Sequence, residues 1–557
     1  MVQARSRRRL VPALLVAGAL LVAACGDDDG DDSSGGGTAT TTGEATTTTA
    51  APSLSEQEGL TRVGPAEDLG GSATRPDDWD PDGELVIAYA GGPTNLDPAG
   101  PSLGTFTYPI YDRLTEVHAD YSVHPRLAKN WEFPDANTMV IELREDVTFH
   151  DGTPFDAEAV KVNIERYRDL PTSTQARVYA NVTAVDVVDP LTVRLTLSGG
   201  GAELPILMSQ AAGMMVSPTV IQNAPDTIAT QGAGGSGPYR IEEYQSGERA
   251  VYVPFEGHWN QAEGLLRRLT ILGLPSPQAR QNALQAGQAN VSLYLSQQVP
   301  MAKQQLASGQ LQGLSVVQNA TQNVLFLRTT QPPFDDPKVR EAVHAAIDQD
   351  AIANGPYGGA CRATNQFFPE GHWAHSPEVE ENDTPFDPDR ARQLLAEAGA
   401  TNLRLDIDFG EAYRPPAEVI QAMLEDVGFD VNLVLNPGTD FKFRDGLMQA
   451  QVSSIFGIFD PSDIVARYAL GGLKLLEDPN GELAAAAGRG GDPTGTPESW
   501  GEAYGLFWER LYTDHIAIPT CSPEQVWGQD GTVANLEDAR YLWSGIPDLT
   551  PLYVAKR

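Results

Sequence analysis

Two hydrophobic periods take turns along most of the chain. Leu85 to Ala90 is an unbroken apolar run closed by Gly91-Gly92-Pro93, the pattern of a buried strand. Thr138–Leu143 and Leu191–Leu197 alternate apolar and polar side chains, as half-buried strands do. Elsewhere the spacing is helical. Asp156 is a capping residue ahead of Val160, Ile164 and Tyr167, which share one helical face. Asp336-Pro337 sets an N-cap before a proline at the first helical position, and Val339, Val343 and Ile347 follow at i, i+4 and i+8. Asp387-Pro388 repeats that start, encloses Leu394, Leu395 and Ala398, and meets a stop at Gly399. Strands and helices intermix throughout, with no repeat period and no long linker. The pattern predicts an α/β class with some α+β character.

The N-terminal residues obey different rules. Arg5, Arg7, Arg8 and Arg9 precede the apolar stretch Leu10–Ala24, which is short for a bilayer span, so residues 1–24 read as an export signal. The stretch ends Leu21-Val22-Ala23-Ala24-Cys25, which resembles the lipobox of bacterial lipoproteins and implies lipidation of Cys25. Residues 26–53 contain no aliphatic side chain larger than alanine and cannot offset the entropy of ordering. Residues 25–80 are therefore expected to be a disordered tether and lead-in, as a membrane-anchored globular domain requires.

Composition narrows the function classes. At about 100–200 residues per domain, 557 residues suggest three or four domain-sized units, and 41% hydrophobic residues exclude wholesale disorder. The formal charge is −37. Setting aside the four arginines of residues 1–24 and the six acids of the tether leaves −35 on residues 54–557. The body itself is acidic, which excludes a nucleic-acid binder. Three cysteines in so long a chain exclude a disulfide scaffold. Beyond Cys25, Cys361 and Cys521 are either a pair closing a loop of roughly 160 residues or two buried thiols.

Several motifs tempt and fail. Gly232-Ala-Gly-Gly-Ser-Gly237 matches G-x-G-x-x-G, but the run Tyr239 to Tyr244 after it alternates as a strand, whereas pyrophosphate binding needs a helix N-terminus there. Asp78, Asp80, Asp82 and Gly83 begin like an EF-hand loop, yet position twelve is Tyr89 and no helices flank it. His372 and His375 form H-x-x-H in a Pro- and aromatic-rich stretch unsuited to a helical zinc site. Neither a nucleophile elbow nor a metalloprotease helix is present. No metal, cofactor or catalytic residue is assigned, and the protein is expected not to be an enzyme.

Several stretches together resemble one family, the extracytoplasmic solute-binding proteins that include the oligopeptide, dipeptide and nickel receptors of ABC importers (family 5). They are LVIAYAGGPTNLDP (Leu85–Pro98), YDRLTEV and HPRLAKNWEF, then IELREDVTFHDGTPFDAEAVKVNIERYR (Ile141–Arg168). Gly235–Arg240 with His258-Trp259-Asn260, Pro332–Ala342 with Ala346-Ile347-Asp348, and Phe386–Gly399 follow in the family's order. The resemblance covers roughly residues 84–550. It implies a two-lobed periplasmic-binding-protein-like fold of class II type, with an extra small subdomain near 105–210 on the first lobe. The first lobe would span 81–320 and take back 516–557, and the second would span 321–515. It also implies a solute bound in the inter-lobe cleft, ABC permease subunits as partners, a monomer, and a place on the outer face of the bacterial cytoplasmic membrane.

Ligand residues are expected by position in that resemblance. Peptide-binding relatives carry "W-x-x-DY-x-(D/E)P", and the counterpart here is Ser454 to Pro461, with Phe456, Phe459 and Asp460 inside it. Aligned on Asp460-Pro461, the amine-anchoring position is Gly457 and the tryptophan position is Ser454. A free ammonium would be desolvated there without a partner unless a gap brings Asp460 or Asp463 into place. Arg328 stands where relatives carry an asparagine, and is either a cleft cation for an anionic group or a salt-bridged surface residue. Pro93, Thr94, Asn95, Tyr108, Ser236 and Tyr239 complete the candidate cleft. A peptide or other small organic solute is the expected cargo. The alternatives are a non-peptide solute (metal chelate, sugar or anion), an envelope hydrolase, and a signalling lipoprotein on the same scaffold.

Overall fold

The apolar run at Leu85 forms strand Glu84–Tyr89, flanked in parallel by Arg268–Gly273 and Val291–Leu295. Ile87 and Ala88 point to opposite faces and both are fully buried, so both faces are covered, which is why the run lacks polar alternation. The computed structural model describes residues 75–556, apart from 371, 378, 380–382, 401–402, 437–441, 456–457, 472 and 542–543. The export signal 1–24, Cys25, the tether as far as residue 74, Phe456 and Gly457 lie outside the described residues.

The strand is part of a twelve-stranded sheet with two halves. The first half continues outward through Arg249–Pro254 and Tyr239–Gln245, both antiparallel. The second half centres on Gln322–Leu327, antiparallel to Ala450–Ile455, with Arg404–Gly410 and Asp430–Asn436 beyond in parallel. The long strand Ala517–Gln529 belongs to both. Its early residues pair with Gln322–Leu327 and Cys361–Ala363, and from Glu524 it pairs with Gln312–Val317 and Val291–Leu295. The backbone therefore passes between halves at 317–322 and again at 523–524. Cys361 and Cys521 form a disulfide beside that second crossing, pinning Cys361–Ala363 to the shared strand.

The half-buried strands Thr138–Leu143 and Thr192–Leu197 pair within a separate antiparallel layer, completed by Ala128–Asp135 and Val182–Asp189. Helix Ala157–Asp169 packs on this layer. Asp156 caps it by accepting from Ala159 N at 2.9 Å, and Val160, Ile164 and Tyr167 are fully buried. The layer shares one apolar core with the first half. In the second half, helices Pro337–Ala346, Pro388–Glu397 and Arg414–Asp426 bury their apolar stripes against one sheet face, and Pro497–Thr513 covers the other. Asp336 and Asp387 are side-chain caps, while Ile347 and Ala398 fall at the C-caps, one residue beyond their helices. All the described residues belong to one compact unit. Among them no helix is long and apolar enough to cross a membrane.

The glycine-rich loop behaves as its pattern requires. Gly232 ends a helix at φ +60°, and a Cβ on Gly235 would approach Ile110 O to 2.2 Å. Strand Tyr239–Gln245 then begins. The glycines serve a turn and a close backbone approach.

Candidate functional site

Residues from the two halves of the sheet meet beside the crossing strands and around one cavity. Near the crossing strands, Ile458 N donates to Ala320 O at 3.2 Å. Phe459 is buried and stands edge-on to Tyr541, with centroids 6.0 Å apart. Tyr541 also lies 5.4 Å from Tyr108, and Arg113 sits behind both rings, 4.5 Å from Tyr108 and 5.4 Å from Tyr541. Tyr121, held at φ +65° in the turn between Thr115–Val117 and Val123–Pro125, touches His372 of the second half edge-on at 4.6 Å. His372 in turn stacks on Phe368. Ala202 N donates to Gly491 O at 3.0 Å, and Arg177 bridges to Asp463 at 3.0 Å. Beside these last contacts is a cavity of about 480 Å³, lined by Gly199, Gly200 and Glu203 on one side and by Ser462, Val465 and Tyr504 among others on the opposite one. A larger groove of about 670 Å³ along helix Arg414–Asp426 is lined wholly by the second half and does not open between the halves.

Beneath the aromatic wall lies a buried ionic network. Arg126 reaches Asp112 at 2.5 Å, Glu116 at 2.8 Å and Glu263 at 2.7 Å. Arg540 joins Glu116 and Glu263, and Arg113 joins Asp548 at 2.9 Å. The segment carrying Tyr541 is thereby tied to the body of the first half. The cations hold Glu116 well below its ordinary range and bring Glu263 down to about 2, even though burial itself acts in the opposite sense. Asp112, His258 and Glu263 bring ligand atoms within 4.8 Å of one another, the spacing of a metal site. Two of the three, Asp112 and Glu263, are already paired with Arg126, and His258 Nε2 lies 2.9 Å from Asp112 Oδ2.

The expected ligand residues divide. Tyr108, Ser454, Phe459 and Asp460 are all buried, with Ser454 Oγ 2.5 Å from Tyr413 Oη. Asp460 is buried and caps the helix Pro461–Ile464 through Ser462 N at 2.9 Å. Pro93, Thr94 and Asn95 form a turn after the first strand. Pro93 O accepts from Gly247 N, Asn95 Oδ1 accepts from Asp97 N, and Thr94 is exposed.

Ser236, Tyr239 and Arg328 each find partners within their own half of the fold. Ser236 is buried, with its hydroxyl between Asp112 N and Met215 O, and Tyr239 is fully buried, with its hydroxyl accepting from Leu266 N. Both are core residues because their polar atoms are spent on backbone groups inside the first half. Arg328 is 9% exposed and finds its partners within the second half. It is tucked over the Phe443 ring at 4.6 Å, donates to Phe443 O, and stands past the end of strand Gln322–Leu327 remote from the crossing, about 20 Å along at strand rise. Tyr541, Arg177, Tyr121 and His372 reach the cleft without any local sequence signal that they do so. His375 Nδ1 donates to Phe368 O.

The arrangement, two sheet halves joined by crossing strands with side chains meeting over a cleft, defines a two-lobed binding protein. A model of the bacterial extracellular solute-binding proteins, family 5 (Middle), matches residues 122–472, and the chain belongs to that family. It is 31% identical over 325 residues to the glutathione-binding protein GsiB of Salmonella paratyphi A, covering 57% of this chain and 61% of that protein. The GsiB of Shigella flexneri is 28% identical over 326 residues, covering 57% and 62%. The chain thus spans about three-fifths of the length of these relatives. Among solved structures, DppA from Helicobacter pylori in complex with peptide STSA gives a TM-score of 0.73 at 20% identity, covering 85% of this chain and 98% of that one. NikA from Brucella suis in complex with Fe(III)-EDTA gives 0.71 at 23% identity, covering 81% and 96%. These likenesses establish the fold.

Proposed function

We propose that the chain is the solute receptor of an ABC importer, capturing a peptide or other small organic solute between its lobes and delivering it to a membrane permease. The observation that carries this reading is the meeting of Phe459 with Tyr541 near the crossing strands: a solute held beside this pair would touch both lobes at once. Differential affinity for the closed form would then drive closure. The lobes are taken as 81–320 with 516–557, and 321–515. Cys25 is taken as the lipid anchor behind the signal 1–24, holding a monomeric receptor on the outer face of the cytoplasmic membrane, with the tether raising its effective concentration near the permease. The glutathione, peptide and metal-chelate ligands named for the similar proteins support an organic solute with polar groups.

One observation favours a solute without a free ammonium at the Ser454–Pro461 wall. Asp460 is engaged as a helix cap and Asp463 is paired with Arg177 and Arg467, so a cation arriving there competes with groups already in place. The test is native mass spectrometry of the purified protein followed by gentle denaturation, then calorimetric titration with reduced glutathione, the tetrapeptide Ser-Thr-Ser-Ala and Fe(III)-EDTA. A recovered or titrated stoichiometric solute without turnover supports the receptor. Turnover of a peptide or ester library by the pure protein would sink it in favour of an enzyme.

A further inference from the structure

Arg177 and Asp463 are separated by 286 positions and stand on opposite lobes. Arg177 follows helix Ala157–Asp169 on the four-stranded layer, and Asp463 is on the helix Pro461–Ile464. The carboxylate is 2% exposed, and the guanidinium that crosses to it is 42% exposed at the rim. Asp463 has a second cation on its own side, Arg467, whose guanidinium nitrogens lie 3.3 Å from its two oxygens. We propose that Arg177 and Asp463 form an electrostatic latch across the cleft that sets how far the solute-free receptor closes. The proposal rests on the receptor reading of the fold.

Three features make this pair a latch and not a fixed strut. Opening the lobes removes Arg177 from Asp463 but leaves Arg467 at i, i+4, so the buried carboxylate is never stranded without a cation. The pair is also opposed. Burial lowers the proton affinity of Arg177 below its ordinary value and the like charge of Arg467 adds to the lowering, against the attraction of Asp463. Finally, the space beside the pair is not filled: next to the hydrogen bond from Ala202 N to Gly491 O, a cavity of about 480 Å³ runs along Ser462. A cross-lobe attraction partly cancelled by desolvation and by a neighbouring cation leaves both states populated, so solute binding can decide between them.

The test uses the full chain stripped of solute by unfolding and refolding, followed by small-angle scattering at low and high salt. In the unsubstituted protein, rising salt should shift particles from closed to open as the rim is screened. Arg177→Ala should reach that open distribution already at low salt, with the closed fraction down about three- to tenfold, the range for an ion pair with one buried partner. Arg177→Lys should retain most of the closure, and Asp463→Asn combined with Arg177→Ala should add little to either single change. Unchanged circular dichroism and melting of Arg177→Ala would show that opening is not unfolding. Scattering identical to the unsubstituted protein for Arg177→Ala, or Arg177→Lys opening as far as Arg177→Ala, would overturn the latch. Neither result touches the receptor reading, which stands or falls on solute recovery.

Discussion

The ring of Phe459 meets that of Tyr541 at 71°, so a residue of the second lobe is part of the apolar core of the first. Core packing shared between lobes couples their separation to the loss of buried apolar area. Phe459→Ala should therefore weaken binding of the recovered solute at least tenfold and also lower the melting temperature, since removing a buried ring costs about 3–5 kcal/mol. Tyr541→Phe should be nearly silent, since its hydroxyl contacts are long, at 3.4 and 3.5 Å. Titration calorimetry and thermal melts of the two variants check the contrast.

The ionic network makes the first lobe sensitive to strong acid. The folded-state pKa values of Asp112, Glu116 and Glu263 lie below their ordinary ones, so their contribution to stability is present above about pH 4.5 and is lost as pH falls toward about 2. Arg126→Met leaves buried carboxylates uncompensated and should cost about 3–5 kcal/mol at pH 7. Denaturant titrations at pH 7, 4 and 3 should show both effects, with a shallower acid loss in the variant.

A second pH effect comes from the other lobe and works at higher pH. His344 and His515 face each other through their Nδ1 atoms at 2.8 Å, and burial pushes His344 down to about 3 and lowers His515 as well. The unfolded chain takes up these protons first, so stability begins to fall below about pH 6.5 and continues to fall until the folded-state value is reached. One such histidine accounts for about 2 kcal/mol between pH 7 and pH 5. His344→Phe should flatten the stability profile between pH 7 and 5, measured by urea unfolding.

Arg328 provides a negative control. Its partners are the Phe443 ring and backbone carbonyl, so Arg328→Ala should lower stability by about 1–2 kcal/mol and leave solute affinity within about twofold. A marked loss of affinity for an anionic solute with unchanged melting would return this residue to the cleft.

The sequence by itself determined what depends on neighbours along the chain. The caps at Asp156, Asp336 and Asp387, the buried run at Leu85 and the glycine loop before Tyr239 all follow from local sterics and hydrogen bonding, and they formed where the pattern predicts. Family membership was legible for the same reason, because its motifs are caps, turns and amphipathic stripes. What only the tertiary structure decided is which side chains face one another over long separations. Ser236 and Tyr239 are expected at the cleft by position, and it is tertiary packing that gives their hydroxyls backbone partners in the first lobe. Arg328 turned onto Phe443. Arg177 and Tyr541 acquired roles that no local pattern announces, because an ion pair or a ring contact across a cleft depends on how two separately packed lobes are set by the strands that cross between them.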